Sequence, residues 1–180
     1  MSSALAAVPP TDAQLVEQAR RGDERAFTTL YRRYARWCAG IVYRLTGNDA
    51  EIDDVLQEAF TDAAVSLDDL RDPEGFRGWL ARIVVHRVHK RMSKRRRFRF
   101  LTRAVEIVAP RVSDPADRRR VEELYAALEQ LPPDQRIPWV LHHVEGETLP
   151  EVAKMCDVSL ATVKRRIADA ETRLERRLHG

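Results

Sequence analysis

The sequence predicts an all-α protein with two small helical domains joined by a flexible linker, the second of which contains a helix-turn-helix. Three observations lead to this prediction. Apolar residues recur every three or four positions along nearly all of the 180 residues. Glycine and proline are sparse, at 7 and 9 residues, and no stretch alternates between apolar and polar residues as a half-buried strand does. The 44% apolar content is that of an ordinary globular protein.

The chain opens with residues 1–10, MSSALAAVPP, which have neither a basic region nor a long apolar run. We therefore expect a disordered tail rather than a signal peptide or a membrane anchor. A first helical domain is expected over residues 11–98. Thr11 and Gln14 form a capping-box pattern for its first helix, which Gly22 should end. The second helix follows at once, with apolar residues from Phe27 to Leu45.

The third and fourth predicted helices carry opposite charges on their exposed sides. From Asp49 an apolar stripe runs to Leu67, and the polar side of that helix is strongly acidic. Asp72 and Pro73 are suited to start the fourth helix, whose apolar residues leave a basic side toward solvent. The acidic side consists of Asp53, Asp54, Gln57 and Glu58, and the basic side includes Arg82, His86, His89 and Lys90.

A basic tract, residues 87–103, extends beyond the end of the fourth helix and contains no acidic residue. Like charges at this density repel one another, so we expect either an anionic partner, with nucleic acid favoured, or a merely solvated segment. Pro110, Ser113 and Pro115 then interrupt any helical period, and we interpret residues 99–117 as a linker.

A second domain is expected over residues 118–180. One helix should run from Val121 to Leu131, and another should begin near Ile137, with Pro138 in its early turns. The segment TLPEVAKMCDVSLATVKRR follows. Thr148 and Ser159 are N-cap residues of two helices in it that a tight turn joins. This pattern predicts a helix-turn-helix. Its second helix presents Thr162, Lys164, Arg165 and Arg166, side chains suited to phosphates and base edges.

Enzymatic chemistry has little support in the sequence. There is no Ser-His-Asp set, no glycine-rich phosphate loop and no plausible carboxylate pair, so we expect no catalytic residue, no cofactor and no small-molecule substrate. His86 and His89 lack a third ligand, and we expect no metal site. Cys38 and Cys156 are isolated from each other in sequence, which is typical of reduced thiols in a cytoplasmic protein.

Several segments, taken in order, resemble extracytoplasmic-function sigma factors of the sigma-70 class. RRGDERAFTTLYRRY is similar to the opening helices of that family, IDDVLQEAF to its core-polymerase-binding helix, and FRGWLARIVVHRVHKRMSKRRR to its promoter minus-ten helix. LEQLPPDQR and GETLPEVAKMCDVSLATVKRRIADAETRL are similar to its second domain. The likeness runs from Leu15 to Leu178. It implies a promoter-recognition subunit that binds core RNA polymerase and promoter DNA and is commonly held by an anti-sigma factor.

Asp157 stands at the turn position where the family often has glycine, and the resemblance thus implies a left-handed backbone that aspartate tolerates better than most residues.

The resemblance also implies roles for particular residues. Contacts with core polymerase would come from Asp53, Asp54, Gln57, Glu58 and Phe60. Contacts with the minus-ten element would come from Arg77, Arg82, His86, His89, Lys90 and Arg91. Contacts with the minus-thirty-five element would come from Ser159, Thr162, Lys164, Arg165 and Arg166.

Two departures from the family pattern bear on promoter preference. His86 stands where the family usually has asparagine, and Phe60 is followed by Thr-Asp-Ala-Ala without the aromatic residue common there. The alternative function is a free-standing helix-turn-helix regulator that binds operators as a dimer. That alternative leaves the acidic stretch from Asp53 to Phe60 unexplained.

Overall fold

The computed structural model describes residues 9–98 and 115–178, and within these ranges the chain forms eight α-helices and no strand. The prediction of an all-α fold is confirmed. Residues 1–8 of the expected tail and residues 99–114 of the expected linker lie outside the described residues. The helices are α1 (Asp12–Arg20), α2 (Glu24–Thr46), α3 (Ile52–Val65), α4 (Phe76–Phe98), α5 (Pro115–Gln130), α6 (Pro133–His143), α7 (Leu149–Cys156) and α8 (Leu160–Leu178).

Local signals in the sequence set the ends of the first helices. The Thr11 side chain accepts a hydrogen bond from the Gln14 backbone N–H at 3.2 Å, and the Gln14 side chain accepts one from Thr11 N–H at 2.9 Å. This is the predicted capping box of α1. Asp23 caps α2, and Gly47 ends it at φ 67°, a left-handed conformation that costs glycine nothing.

The helices α1 to α4 enclose one apolar core, and we refer to residues 9–98 as the first half of the chain. Leu30, Val42 and Leu80 have no exposed surface. Phe76, the first residue of α4, is also fully buried, and its ring centroid lies 5.6 Å from that of Tyr34. The aromatic contact fixes the start of α4 against α2 and so determines where the basic side of α4 lies.

In the second half, residues 115–178, α7 and α8 form the predicted helix-turn-helix. The Thr148 side chain accepts a hydrogen bond from Glu151 N–H at the start of α7. The Ser159 hydroxyl accepts one from Thr162 N–H at 3.2 Å at the start of α8. Val163 and Ala170 of α8 are fully buried, so the opposite side of this helix is left open to solvent.

Two helices of the second half begin earlier than the sequence suggested. The helix α6 begins at Pro133 rather than near Ile137, and Pro138 lies in its second turn, so the placement of Pro138 in the early turns is confirmed. The start was expected too late because Pro132 and Pro133 look like a break, whereas proline is well suited to the first position of a helix. The helix α5 begins at Pro115, before the position 118 expected for the start of the second domain.

Asp157 ends α7 at φ 54° and ψ 46°, and it is the one non-glycine residue with a positive φ in the described part of the chain. We expect Asp157→Gly to be neutral or to stabilise the protein by up to about 1 kcal/mol, because glycine takes this conformation without strain. The ion pair lost with Asp157 is exposed and long, at 3.8 Å from Arg82, and contributes little. Urea unfolding measures the change, with Asp157→Val as the destabilised comparison; marked destabilisation by glycine would contradict the assigned turn.

The two halves pack against each other, mainly through α4, which contacts α7 and α6. We call this the docked arrangement. Among the described residues, four ion pairs and one hydrogen bond of a histidine connect the halves: Arg44 with Glu145, Arg77 with Glu147, Arg82 with Asp157, Arg95 with Glu129, and His89 with Asp134. The basic side of α4 thus faces carboxylates of the second half.

Candidate polymerase and nucleic-acid interfaces

The acidic side of α3 is partly open and partly neutralised within the protein. Asp53, Asp54 and Gln57 are exposed, as the sequence predicted. Glu58 is half-buried and binds two arginines of α4, with its carboxylate 3.2 Å from Arg87 and 2.7 Å from Arg91. The exposed residues face solvent, although Asp54 also lies 3.4 Å from Arg91, whereas Glu58 holds α3 to α4.

An apolar groove of about 540 Å³ lies beside the exposed acids, and Asp53 and Gln57 form part of its wall. Phe60 is only 5% exposed, but its ring supports that of Tyr31 in an edge contact at 4.6 Å. Tyr31 itself is 42% exposed and Val65 is 83% exposed. Tyr31 belongs to the apolar stripe of α2 but lies at its edge. That edge position was the sequence feature that could have indicated an exposed aromatic residue.

The predicted minus-ten residues divide into two groups on α4. Arg77, Arg82, His86 and Lys90 are exposed, and His89 is half-buried with its Nε2 atom 2.7 Å from Asp134. Arg91 instead turns toward α3, where it pairs with Asp54 at 3.4 Å as well as with Glu58. The structure thus brings the first group to one side and directs Arg91 to the acidic helix.

Arg77 is held in place from two directions. Its guanidinium carbon lies 4.3 Å from the ring centroid of Trp37, an attractive cation–π contact. Its Nη2 atom donates a hydrogen bond to Glu147 Oε1 at 2.9 Å. A nucleic acid that binds Arg77 must therefore compete with Glu147 in the docked arrangement.

Part of the basic tract has partners within the chain. Arg87 pairs with Asp62 and Glu58, and the hydrogen bond to Asp62 is the main cause that raises the pKa of Arg87 above its ordinary value. Arg95 pairs with Glu129 at 3.3 Å. The sequence led us to expect an anionic partner or open water around this tract, but Arg87, Arg91 and Arg95 have carboxylate partners within the protein. Their spacing of four residues puts them on one side of α4.

The predicted minus-thirty-five residues do not all point the same way. Ser159 and Thr162 bond each other through their hydroxyls at 2.9 Å while capping α8. Lys164 and Arg165 project into solvent. Arg166 is half-buried and lies 3.6 Å from Asp134 of α6. The open cations at the start of the second helix of the motif are therefore Lys164 and Arg165.

A larger cavity of about 710 Å³ lies beside the contact between α4 and the helix-turn-helix. Its apolar walls include Val65 and Ile83 of the first half and Met155 and Val158 of the second. His86, His89 and Arg166 also line it, so residues of both predicted DNA-binding sets border one space in the docked arrangement.

The remaining chemistry of the described chain is limited. No group of histidine, cysteine, aspartate and glutamate within the described ranges could hold a metal ion. Burial raises the pKa of both thiols, Cys38 and Cys156, to about 12, so both stay protonated at neutral pH. Among the residues that the structure describes, no helix has the length and apolar character needed to cross a lipid bilayer.

Comparison with known families matches both halves of the chain. Sigma-70 region 2 matches residues 30–98, and Sigma-70, region 4 matches residues 121–174. Together these ranges cover more than half of the chain. The helix α3 and the basic side of α4 lie in the first range, and the helix-turn-helix lies in the second.

Curated relatives agree over nearly the full length. The ECF RNA polymerase sigma-E factor of Escherichia coli (strain K12) is 30% identical, covering 93% of this chain and 94% of the relative. The RNA polymerase sigma-H factor of Pseudomonas aeruginosa is 28% identical, covering 93% of both chains.

Solved structures with a similar fold include two protein complexes. CnrH, in complex with the cytosolic domain of CnrY, is 30% identical with a TM-score of 0.64, covering 93% of this chain and 96% of CnrH. The sigma factor RpoE from Bartonella quintana, in complex with the anti-sigma factor NepR, is 20% identical with a TM-score of 0.63. That comparison covers 84% of this chain and 96% of RpoE and supports the fold. With both regions present in order and a 30% identical sigma-E relative, the chain belongs to the extracytoplasmic-function family of RNA polymerase sigma factors.

Proposed function

We propose that this sigma factor divides promoter recognition among three surfaces of the described chain. The open acids of α3 and the adjoining groove bind core RNA polymerase, the exposed basic side of α4 binds the minus-ten element, and the start of α8 binds the minus-thirty-five element. The observation that carries the proposal is the presence of an acidic docking helix and two separate cationic surfaces in one chain. A free-standing regulator would need only the helix-turn-helix and leaves α3 unexplained.

Docking to polymerase requires more than the charges of α3. Exposed ion pairs contribute only about 0–1 kcal/mol each, and stable interfaces depend on buried aromatic anchors. The groove beside Asp53 and Gln57 offers such an anchor in Tyr31, which Phe60 supports from below. We therefore assign electrostatic orientation to the acids and most of the binding free energy to Tyr31 and the groove.

Promoter opening is assigned to α4. Extruding a base from the duplex costs a few kcal/mol, and stacking together with phosphate neutralisation must offset that cost. Arg82, His86 and Lys90 are exposed, and Arg82 makes only a long ion pair, at 3.8 Å, with Asp157 among the described residues. Arg77 and His89 become available only when their carboxylate partners in the second half move away.

Reading of the minus-thirty-five element is assigned first to Lys164 and Arg165. Both are exposed near the amino-terminal end of α8, the part of a recognition helix that reaches base edges. The Ser159 and Thr162 hydroxyls already bond each other, and Ser159 Oγ accepts the capping hydrogen bond from Thr162 N–H. A hydroxyl of this pair can donate a hydrogen bond to a phosphate without breaking that capping bond. Arg166 is assigned a phosphate contact after release from Asp134.

An anti-sigma factor is the further partner that we propose. Related sigma factors have been solved in complex with such proteins, as in RpoE with NepR. The cavity between α4 and the helix-turn-helix has apolar walls and bordering charges, which suit an amphipathic segment of a partner. A partner seated there would hold both DNA-binding surfaces in the docked arrangement.

The proposal assigns no catalytic step to the chain itself, since polymerase carries out RNA synthesis. It also places the working protein in the cytoplasm, where core polymerase and promoter DNA are found. Both statements follow from the assigned partners.

We expect substitutions at Asp53, Gln57 and Tyr31, the docking surface beside α3, to weaken binding to core polymerase. Asp53→Ala with Gln57→Ala should raise the Kd about tenfold, and Tyr31→Ala should raise it about 30-fold, since a buried aromatic anchor contributes on the order of 2 kcal/mol. Fluorescence anisotropy of the labelled sigma factor titrated with core polymerase measures both effects.

The matched control is Glu122→Ala with Gln130→Ala, an exposed acid and an exposed amide on α5. This pair should leave polymerase affinity unchanged. Equal affinities for the wild type, the α3 variant and Tyr31→Ala would contradict the docking role of this surface.

A further inference from the structure

A buried cation with two unpaired guanidinium nitrogens lies between the two halves of the chain. Arg136 of α6 is only 3% exposed. Its Nε and Nη2 atoms have no hydrogen-bond partner among the described residues. Burial is the main cause that lowers the pKa of Arg136, to about 10, so the guanidinium still carries its charge at neutral pH. A buried charge is stable only when an opposite charge and hydrogen bonds compensate for lost hydration.

The Arg136 side chain borders a cavity of about 40 Å³ formed by the carboxyl end of α4 together with α5 and α6. Arg95, Arg96 and the Thr46 side of α2 also line the cavity, and Glu129 is the one carboxylate among the described residues that line it. Glu129 accepts a hydrogen bond from Arg95 at 3.3 Å, so its charge is shared with that arginine. Arg95 also lies 3.9 Å from Glu51 of the first half. Three guanidinium groups thus face two carboxylates among the described residues, and the surroundings of the cavity keep a net positive charge.

We propose that this cavity binds a small tetrahedral oxyanion of the phosphate or sulfate type, held by Arg136 and Arg96. A single buried water needs about 10–15 Å³ of such space, so the cavity has room for a few waters or for one oxyanion. Water can satisfy N–H groups but cannot neutralise the excess charge, whereas an oxyanion does both. The planar guanidinium group donates two parallel hydrogen bonds to oxyanions, which favours them over a spherical anion such as chloride.

The site has a structural consequence beyond the roles proposed above. Arg96 belongs to α4 of the first half and Arg136 to α6 of the second. An anion held between them links the halves and stabilises the docked arrangement. The stability of the free sigma factor is therefore expected to depend on the identity of the anion as well as on ionic strength.

The test is thermal unfolding of the full chain in phosphate and in chloride at equal ionic strength and pH. We expect phosphate to raise the Tm of the wild type by about 3 °C relative to chloride, as a ligand at several times its Kd would. Arg136→Met should lose this increment whatever its own Tm, and Arg96→Gln should reduce it. Arg97→Gln, which removes an exposed charge from the neighbouring position of α4, should retain it.

Isothermal titration of the full chain with inorganic phosphate provides a second readout, with one binding site in the wild type and in Arg97→Gln. If Arg136→Met fails to fold, Arg136→Lys replaces it, and we expect weaker binding because lysine lacks the planar pair of donors. Equal Tm values in phosphate and chloride would overturn the proposal. A rise in Tm with phosphate that persists in the Arg136 variants would overturn the proposal too. So would a rise in Tm that a single-stranded oligonucleotide produces and inorganic phosphate does not.

Discussion

Replacing Lys164 and Arg165 together by alanine is expected to weaken minus-thirty-five recognition by the holoenzyme about 30-fold or more. Each side chain that reads a base contributes about 1–3 kcal/mol, and both are exposed near the amino-terminal end of α8. Competition binding of the holoenzyme to promoter fragments with and without the minus-thirty-five element measures the loss. The two single variants then separate the roles, because a base contact reduces discrimination whereas a phosphate contact weakens all sequences alike.

The matched control for this variant is Arg173→Ala with Arg176→Ala. Both residues are exposed on later turns of α8, so the control removes the same charge from the same helix. We expect it to weaken DNA binding slightly and to leave the preference for the element intact. Equal losses in the two double variants would show that α8 supplies general electrostatic attraction rather than sequence recognition.

Replacing Phe76 by alanine is expected to destabilise the first half by about 3–5 kcal/mol, the usual cost of emptying a fully buried phenylalanine site. Phe76 has no exposed surface and contacts Tyr34 and Trp79, with ring centroids 5.6 Å and 5.8 Å away. Single domains are stable by only about 5–15 kcal/mol, so the loss is a large fraction of the total. Urea unfolding followed by tryptophan fluorescence measures it.

The control for Phe76 is Val65→Ala, because Val65 is also apolar but 83% exposed. Its removal should change the free energy of unfolding by less than about 0.5 kcal/mol. A cost below about 1 kcal/mol for Phe76→Ala would mean that this ring does not anchor α4. The functional consequence of the expected result is that α4 loses its position, so promoter opening should fail at temperatures where the second half remains folded.

The fold was predictable where the signals are local. The capping residues Thr11, Asp72, Thr148 and Ser159 each bind backbone N–H groups of the turn that follows them. The left-handed backbone of Asp157 was likewise predictable, because Asp157 stands at a turn position where the family often has glycine and aspartate tolerates that conformation. Such features depend on neighbours within four positions, which the sequence states directly.

Other features depend on residues that are far apart in sequence. Arg87 pairs with Asp62 and Arg95 pairs with Glu129, across 25 and 34 positions, and counting charge along the chain cannot reveal either contact. Packing of the two halves was missed for the same reason, since it rests on pairs such as Arg77 with Glu147. The early start of α6 at Pro133 was missed for a different reason, because proline breaks one helix and begins the next equally well.

The candidate interfaces show both outcomes. Exposure of Asp53, Asp54, Lys164 and Arg165 followed from helical periodicity alone. The groove beside α3 required the structure, because its exposed aromatic residue belongs to α2 and comes near Phe60 only through the packing of two helices. The role of this groove in polymerase binding stays a prediction.

The central claim is that this chain directs core polymerase to promoters, and multiple-round run-off transcription with genomic fragments as templates tests it most directly. We expect transcripts of fixed length that require both core polymerase and the sigma factor. Tyr31→Ala, combined with Asp53→Ala and Gln57→Ala, should lose them, and Glu122→Ala with Gln130→Ala should retain them. Fragments that this chain binds by itself, without any sigma-dependent transcript from core polymerase, would contradict the account.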